Sequence, residues 1–231
     1  MKTRLLRLCV LLVGLAWLLV ASERAVAGSF AVQTPHNRKV YLPIVSNPHP
    51  LPLPDEPGYC LTAEEAKLAS LINAYRGSHG LPAVPLSRSL STVAQWHVRD
   101  LQWHNPNSGM DSRGQACNMH SWSNEGHWTP VCYTSDHAYA SGMWLKPTEI
   151  TRGIYTSYGF EIAAGGRGWT ATAEGALTLW KKSSAHNAVI LEEGVWAGYN
   201  WPAMGIGIYE GYAVVWFGRM SDPAGIIPAC N

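Results

Sequence analysis

Near the C-terminus, Met204-Gly205-Ile206-Gly207-Ile208-Tyr209 and Tyr212-Ala213-Val214-Val215-Trp216-Phe217-Gly218 form two apolar runs with only Glu210-Gly211 between them. The pattern predicts two strands joined by a tight hairpin. Upstream, Tyr158 to Gly165 is followed by a helix and then by Trp180 to Asn187. This order sets the Glu161 carboxylate and the His186 imidazole at opposite ends of a short helical unit, wedged between a polar loop and the sheet.

A chain of 231 residues, 47% of them hydrophobic, suits one domain plus processing segments. Charged residues make up 14%, well below the usual quarter, whereas there are 11 tryptophans. Residues 1–27 read as a secretory signal: Lys2, Arg4 and Arg7, then an apolar stretch from Leu8 to Val20, then Ala25-Val26-Ala27 as the cleavage pattern. The apolar stretch is short for a membrane span, so cleavage ranks above an uncleaved anchor. Cys9 lies inside the signal and is discounted as a lipidation site. Cleavage removes Lys2, Arg4, Arg7, Arg24 and Glu23, which lowers the net charge from +1 to −2. Neither a nucleic-acid footprint nor a basic membrane surface is expected, nor a transmembrane segment after cleavage.

Four cysteines remain, Cys60, Cys117, Cys132 and Cys230. An even number in an exported chain favours disulfides, with three connectivities open. The favoured one pairs Cys117 with Cys132, closing a loop in a Trp-rich region, and Cys60 with Cys230, joining the ends of the domain.

Residues 28–58 read as a stalk or linker, because Pro48, Pro50, Pro52 and Pro54 hold the chain extended; Val40 to Val45 is a candidate edge strand. The domain, 59–231, opens with the capping box Thr62-Ala63-Glu64-Glu65 and a helix bearing Leu68, Leu71, Ile72 and Tyr75. Ser87 caps a second helix on which Leu90, Val93, Ala94, His97 and Leu101 share a face, so His97 is expected to be a buried, hydrogen-bonded core histidine. Asn105 to Tyr133 is an irregular excursion holding both central cysteines and Trp122; a binding role and simple packing onto the body stand level. Thr134 is expected to cap a helix through Met143, with Asp136 favourable at its first turn and His137 on the surface. Thr170 or Thr172 would cap a helix carrying Ala173, Ala176, Leu177 and Trp180, and Ser183 or Ser184 a short one carrying His186. A phosphate loop, a GxSxG elbow, HExxH and CxxC are all missing, which disfavours nucleotide chemistry and serine or thiol hydrolysis.

The ordered set of Leu71 to Arg76, Leu81-Pro82, Ala94 to His97 with Asp100, His120-Ser121, Gly159 to Ala163, Trp180 to Asn187 and Gly205-Ile206-Gly207 resembles the CAP superfamily. This superfamily, also called SCP/TAPS, is of the cysteine-rich secretory protein, antigen 5 and pathogenesis-related 1 type, and the likeness is to its bacterial secreted members. The resemblance implies an α+β fold, a three-layer α-β-α sandwich with a central, mainly antiparallel sheet. It also implies a cleft with two histidines and one or two acids that in some members holds a divalent metal. By position His120 resembles the first histidine, with His104 as the fallback, Glu161 the acid and His186 the second histidine. Two departures stand out: Phe160 separates Gly159 from Glu161, and Ser183 replaces a second acid.

Three readings follow. His120, Glu161 and His186 are the catalytic and metal candidates: as three ligands to Zn²⁺ with water in a fourth position they would make a metal-assisted hydrolase. With Glu161 accepting from both rings they would instead be a hydrogen-bonded cluster, in a secreted domain that binds a small ligand, lipid, glycan or surface protein. Trp96, Trp103, Trp122, Trp128 and Trp144 would supply flat faces, Trp122 and Trp128 forming the ligand-binding rim. The third reading is a structural envelope protein without chemistry. Binding ranks above hydrolysis, because only one acid is in register for acid–base work.

Overall fold

The hairpin is the centre of the molecule. In the computed structural model, which describes residues 56–231, strands β2 (Ala203–Tyr209) and β3 (Tyr212–Gly218) pair antiparallel up to Tyr209 opposite Tyr212. Glu210 makes the turn at φ 46°. A third strand, β1 (Gly159–Gly165), pairs antiparallel with the other edge of β3, giving the order β1-β3-β2. The sheet is covered on both faces, so β3 is buried at every position and reads as one continuous apolar run.

Alternation along β3 divides the core in two. Ala213, Val215 and Phe217 join one cluster with Leu68 and Ile72 of α1 (Ala63–Ser78), Ala176 and Trp180 of α5 (Ala173–Lys182) and Ile190 of α6 (Ser184–Leu191). Tyr212, Val214 and Trp216 join the other with Leu90, Val93, Ala94 and Leu101 of α2 (Arg88–His104) and Met143 of α3 (Ala140–Trp144). A further short helix, α4 (Lys146–Ile150), follows α3. The result is the expected α+β sandwich of helices, sheet and helices.

Local signals explain the long helices. Thr62 and Glu65 form the reciprocal capping box of α1, Ser87 Oγ accepts from the Leu90 amide, and Thr172 Oγ1 from the Gly175 amide. Gly205 and Gly207 point towards α2: a Cβ at either would lie 2.0 Å from the Leu90 carbonyl carbon or 2.4 Å from that of Ala94. With no side chain there, the helix backbone rests directly on β2.

The helix expected from Thr134 to Met143 is shorter, Ala140–Trp144. Thr134 Oγ1 donates to Asp136 Oδ1 at 2.5 Å instead of capping backbone, Asp136 is also held by Arg113 at 2.7 Å, and His137 sits at φ 59°, which no helix accommodates.

Cys60 is bonded to Cys230 and Cys117 to Cys132. Around the first bridge, Leu61 N donates to Pro228 O and Cys230 N to Leu61 O, both at 2.8 Å, so the two ends of the domain are laced together. Around the second, Trp122 and Val131 exchange backbone hydrogen bonds, folding the excursion back on itself. The signal at 1–27, the candidate strand at Val40 to Val45 and all but the last three residues of the 28–58 linker lie outside the described residues. Among the described residues no helix is long and apolar enough to cross a membrane.

Candidate functional site

Glu161 lies in β1 opposite Trp216 and points, with Ala163, to the α2 face of the sheet, whereas Phe160 and Ile162 point to the other. Its carboxylate is fully buried, and each oxygen has an imidazole partner. Oε2 lies 2.5 Å from His97 Nδ1 and Oε1 lies 2.7 Å from His120 Nδ1. His97 comes from the buried face of α2; its other nitrogen, Nε2, lies 3.0 Å from the Ser121 carbonyl oxygen. A carbonyl only accepts, so Nε2 carries a proton.

Charge assignments follow from that geometry. Burial disfavours the His97 cation, but the Glu161 carboxylate beside it holds the imidazole above its usual range. Burial likewise disfavours the Glu161 anion, but the two imidazoles hold its carboxyl below the usual range. His97 is therefore an imidazolium donating from both nitrogens, and Glu161 is its counter-ion. His120 donates Nδ1–H to the same carboxylate, so when neutral it leaves a lone pair on Nε2.

The loop that carries His120 is fixed by α2. Asp100, one turn beyond His97, accepts from the Ser123 amide at 2.9 Å and from its hydroxyl. Trp122, between the two anchor points, stacks on the His97 ring with centroids 4.1 Å apart and planes 7° from parallel. It is 2% exposed. Trp122 is thus core and not a rim residue: the buried imidazolium takes up its face. Trp128 is half-buried, with Nε1 donating to Ser123 O at 2.9 Å, and lines a different cavity from the one that holds Glu161.

His186 stands on α6 and shares a 2.9 Å hydrogen bond between its Nδ1 and Ser183 Oγ. Burial, with His120 nearby, keeps its ring below the ordinary imidazole range. His120, Glu161 and His186 line one cleft of about 490 Å³ at the β1 edge, walled by Phe160, Ile162, Trp144, Val189 and Trp196. Contrary to the expected cluster, in which Glu161 accepts from both His120 and His186, its second ring is His97, because the carboxylate points to the α2 side of the sheet. Among the described residues no group of three or more His, Cys, Asp or Glu is arranged to hold a metal ion. His104, the fallback, ends α2 and lines the cavity with Trp128.

Three residues join the site that sequence reasoning assigned elsewhere or not at all. His97 is the buried core histidine expected, and also the counter-ion of the site acid. Tyr133 and His137 share a 2.8 Å hydrogen bond and line the same cleft, and burial with Glu161 nearby raises the phenol above its usual range. The signal for His97 was available: it and Asp100 put two ionisable groups one turn apart on an apolar helix face.

The model of the cysteine-rich secretory protein family, CAP, matches residues 69–213. No curated protein matches the chain. Among solved structures it is similar to an extracellular protein containing an SCP domain from Bacillus anthracis, with 17% identity, a TM-score of 0.44 and coverage of 68% of this chain and 40% of that one. It is similar to a cysteine-rich secretory protein from Staphylococcus aureus, with 11% identity, a TM-score of 0.42 and coverage of 68% and 39%. An outer surface protein from Borrelia burgdorferi shows 16% identity, a TM-score of 0.41 and coverage of 68% and 92%. The chain thus spans less than half the length of the first two.

Proposed function

The chain belongs to the cysteine-rich secretory protein (CAP) family, and from that premise we propose that it is an extracytoplasmic binding domain whose cleft takes a small ligand with an apolar body and a polar head. The observation that carries this reading is the state of Glu161. Both its oxygens are occupied and it is sealed from solvent, so it serves to orient His120 and not to attack a substrate or abstract a proton. What faces the cleft is His120 and His186, with Tyr133, His137 and Glu193 as further polar groups, above apolar walls. A purely structural role would need only the His97–Glu161 pair and gives no reason for two half-buried imidazoles to line an open cleft. The two disulfides support a compartment that is oxidising, in line with removal of residues 1–27 as a signal and with 28–58 as the stalk of domain 59–231.

The same donors bear on a metal. Glu161 does not fit as a direct ligand, since both oxygens are taken; it fits as the carboxylate standing behind a ligating His120, holding its tautomer with Nε2 towards the cleft. His120 and His186 would then hold a divalent cation such as Zn²⁺ through Nε2. Two protein donors in place of the usual three or four make a weak, exchangeable site, where the cation would supply a positive charge for an anionic ligand head.

Calorimetric zinc titration of the full chain is expected to show a single weak site, abolished by His120→Ala and by His186→Ala and weakened about 10–100-fold by Glu161→Gln. Uptake indifferent to both histidine changes would remove the cation from this cleft. A fluorescent fatty-acid analogue is expected to bind with affinity reduced about tenfold in His120→Ala. Val195 also lines the cleft and is exposed, so affinity unchanged in His120→Ala and in Val195→Asp would place the ligand elsewhere.

A further inference from the structure

A second cavity, of about 580 Å³, lies between the outer face of α2 and the loop around Trp128, and shares no lining residue with the His120–His186 cleft. Three indoles line it. Trp96 and Trp103 are seven residues apart on α2, two turns and so about 10 Å along the helix. Trp128 meets Trp96 at 6.0 Å between ring centroids, 60° from parallel, and its Nε1 is anchored on Ser123 O. Trp103 is 51% exposed, a large area to leave in water unless something covers it.

The polar lining is of mixed kind. Glu125 and Arg152 are exposed charges of opposite sign, and His104 and His127 add two imidazoles. Flat apolar faces beside hydrogen-bonding groups of both polarities match a pyranose, whose C–H face stacks on an indole while its hydroxyls donate to a carboxylate and accept from a guanidinium. Two indoles a double helical turn apart make a platform for more than one sugar, which an extended β-1,4-linked chain can lie along. Carboxylates outnumber cations in the lining even with Glu149 paired to Lys146, since Glu56, Asp100 and Glu125 stand against Arg152, so a sulfated or uronate polymer is repelled.

We propose that this cavity, floored and walled by Trp96, Trp103 and Trp128, is a binding site for an uncharged β-1,4-linked oligosaccharide, separate from the cleft. The inference stands whether or not the cleft reading holds.

The test is titration of the full chain with cellotetraose and with chitotetraose, followed by tryptophan fluorescence and calorimetry. At least one is expected to bind, with affinity reduced about tenfold or more in Trp103→Ala, less in Glu125→Gln, and unchanged in His186→Ala. Trp103→Ala removes an exposed ring, so its melting temperature is expected to stay at the wild-type value, which separates lost binding from lost folding. The proposal is overturned if neither tetrasaccharide binds, if binding survives Trp103→Ala, or if it is lost in His186→Ala. It is equally overturned if heparin binds in preference, or if tetramethylammonium displaces the sugar, which would make the indoles a cation cage.

Discussion

At the scale of single residues, the buried pair of His97 and Glu161 governs how stability responds to pH. Glu161 titrates below its ordinary 4.5 in the folded chain, so its contribution is present above that value and is lost as pH falls through the lowered folded pKa. His97 titrates above its ordinary 6.5, so its contribution is present below that value and is lost as pH rises through the raised folded pKa. Between about 4.5 and 6.5 both are fully present. Urea unfolding of the wild type is therefore expected to give greatest stability in that window. In His97→Gln the alkaline decline should shrink, and overall stability should drop by about 3–5 kcal/mol, the cost of leaving Glu161 buried without its counter-ion. An alkaline limb identical in the two proteins would show that His97 is not charged when folded. Glu161 and His120 were legible in the sequence as members of an ordered set of motifs. The partnership with His97 was not, because the two residues lie 64 positions apart and an apolar helix face is reason enough for a buried histidine. Trp122 misled for the same reason: the ring it stacks on is unknown until α2 and the excursion are brought together.

At the scale of elements, caps and turns carried the reading and side-chain competition defeated it. The capping box of α1, the serine cap of α2 and the Glu210-Gly211 turn are local, so Thr62, Ser87 and the hairpin could be read in order. Thr134 resembled another cap, but its hydroxyl donates to Asp136 and its oxygen accepts from the Arg113 guanidinium where a cap would accept from backbone. Strand β1 carries a glutamate among its apolar residues, and without the two imidazoles such a residue argues against burial. The contact most sensitive to one atom group is α2 on β2. Gly207→Ala would push a methyl into the backbone at Ala94, so the helix must move or the hairpin must bend. Destabilisation of about 1–3 kcal/mol is expected by urea unfolding. Because α2 holds His97 and Asp100, the His120 imidazole NMR signals should shift as well. A stability loss that leaves those signals unmoved would mean that helix and site are not mechanically linked.

At the scale of the whole molecule, the two disulfides do different work. Cys60 and Cys230 are 170 positions apart and close nearly the entire domain, so removing the bridge frees the largest loop in the unfolded chain. The loss expected for the paired serine variant is about 4–5 kcal/mol, with the cleft intact in molecules that remain folded. Cys117 and Cys132 are 15 positions apart and close a loop whose unfolded entropy is worth about 3 kcal/mol. That loop carries His120, and the bridge closes the segment within which Ser121, Trp122 and Ser123 are pinned to α2 and His120 reaches Glu161. Replacing Cys117 and Cys132 by serine is therefore expected to cost less global stability but more function. Unfolding by urea should need a higher concentration than in the Cys60–Cys230 variant, while zinc affinity falls towards that of His120→Ala. If zinc affinity instead tracks global stability across both variants, the excursion is held by α2 alone and the short disulfide has no part in placing His120.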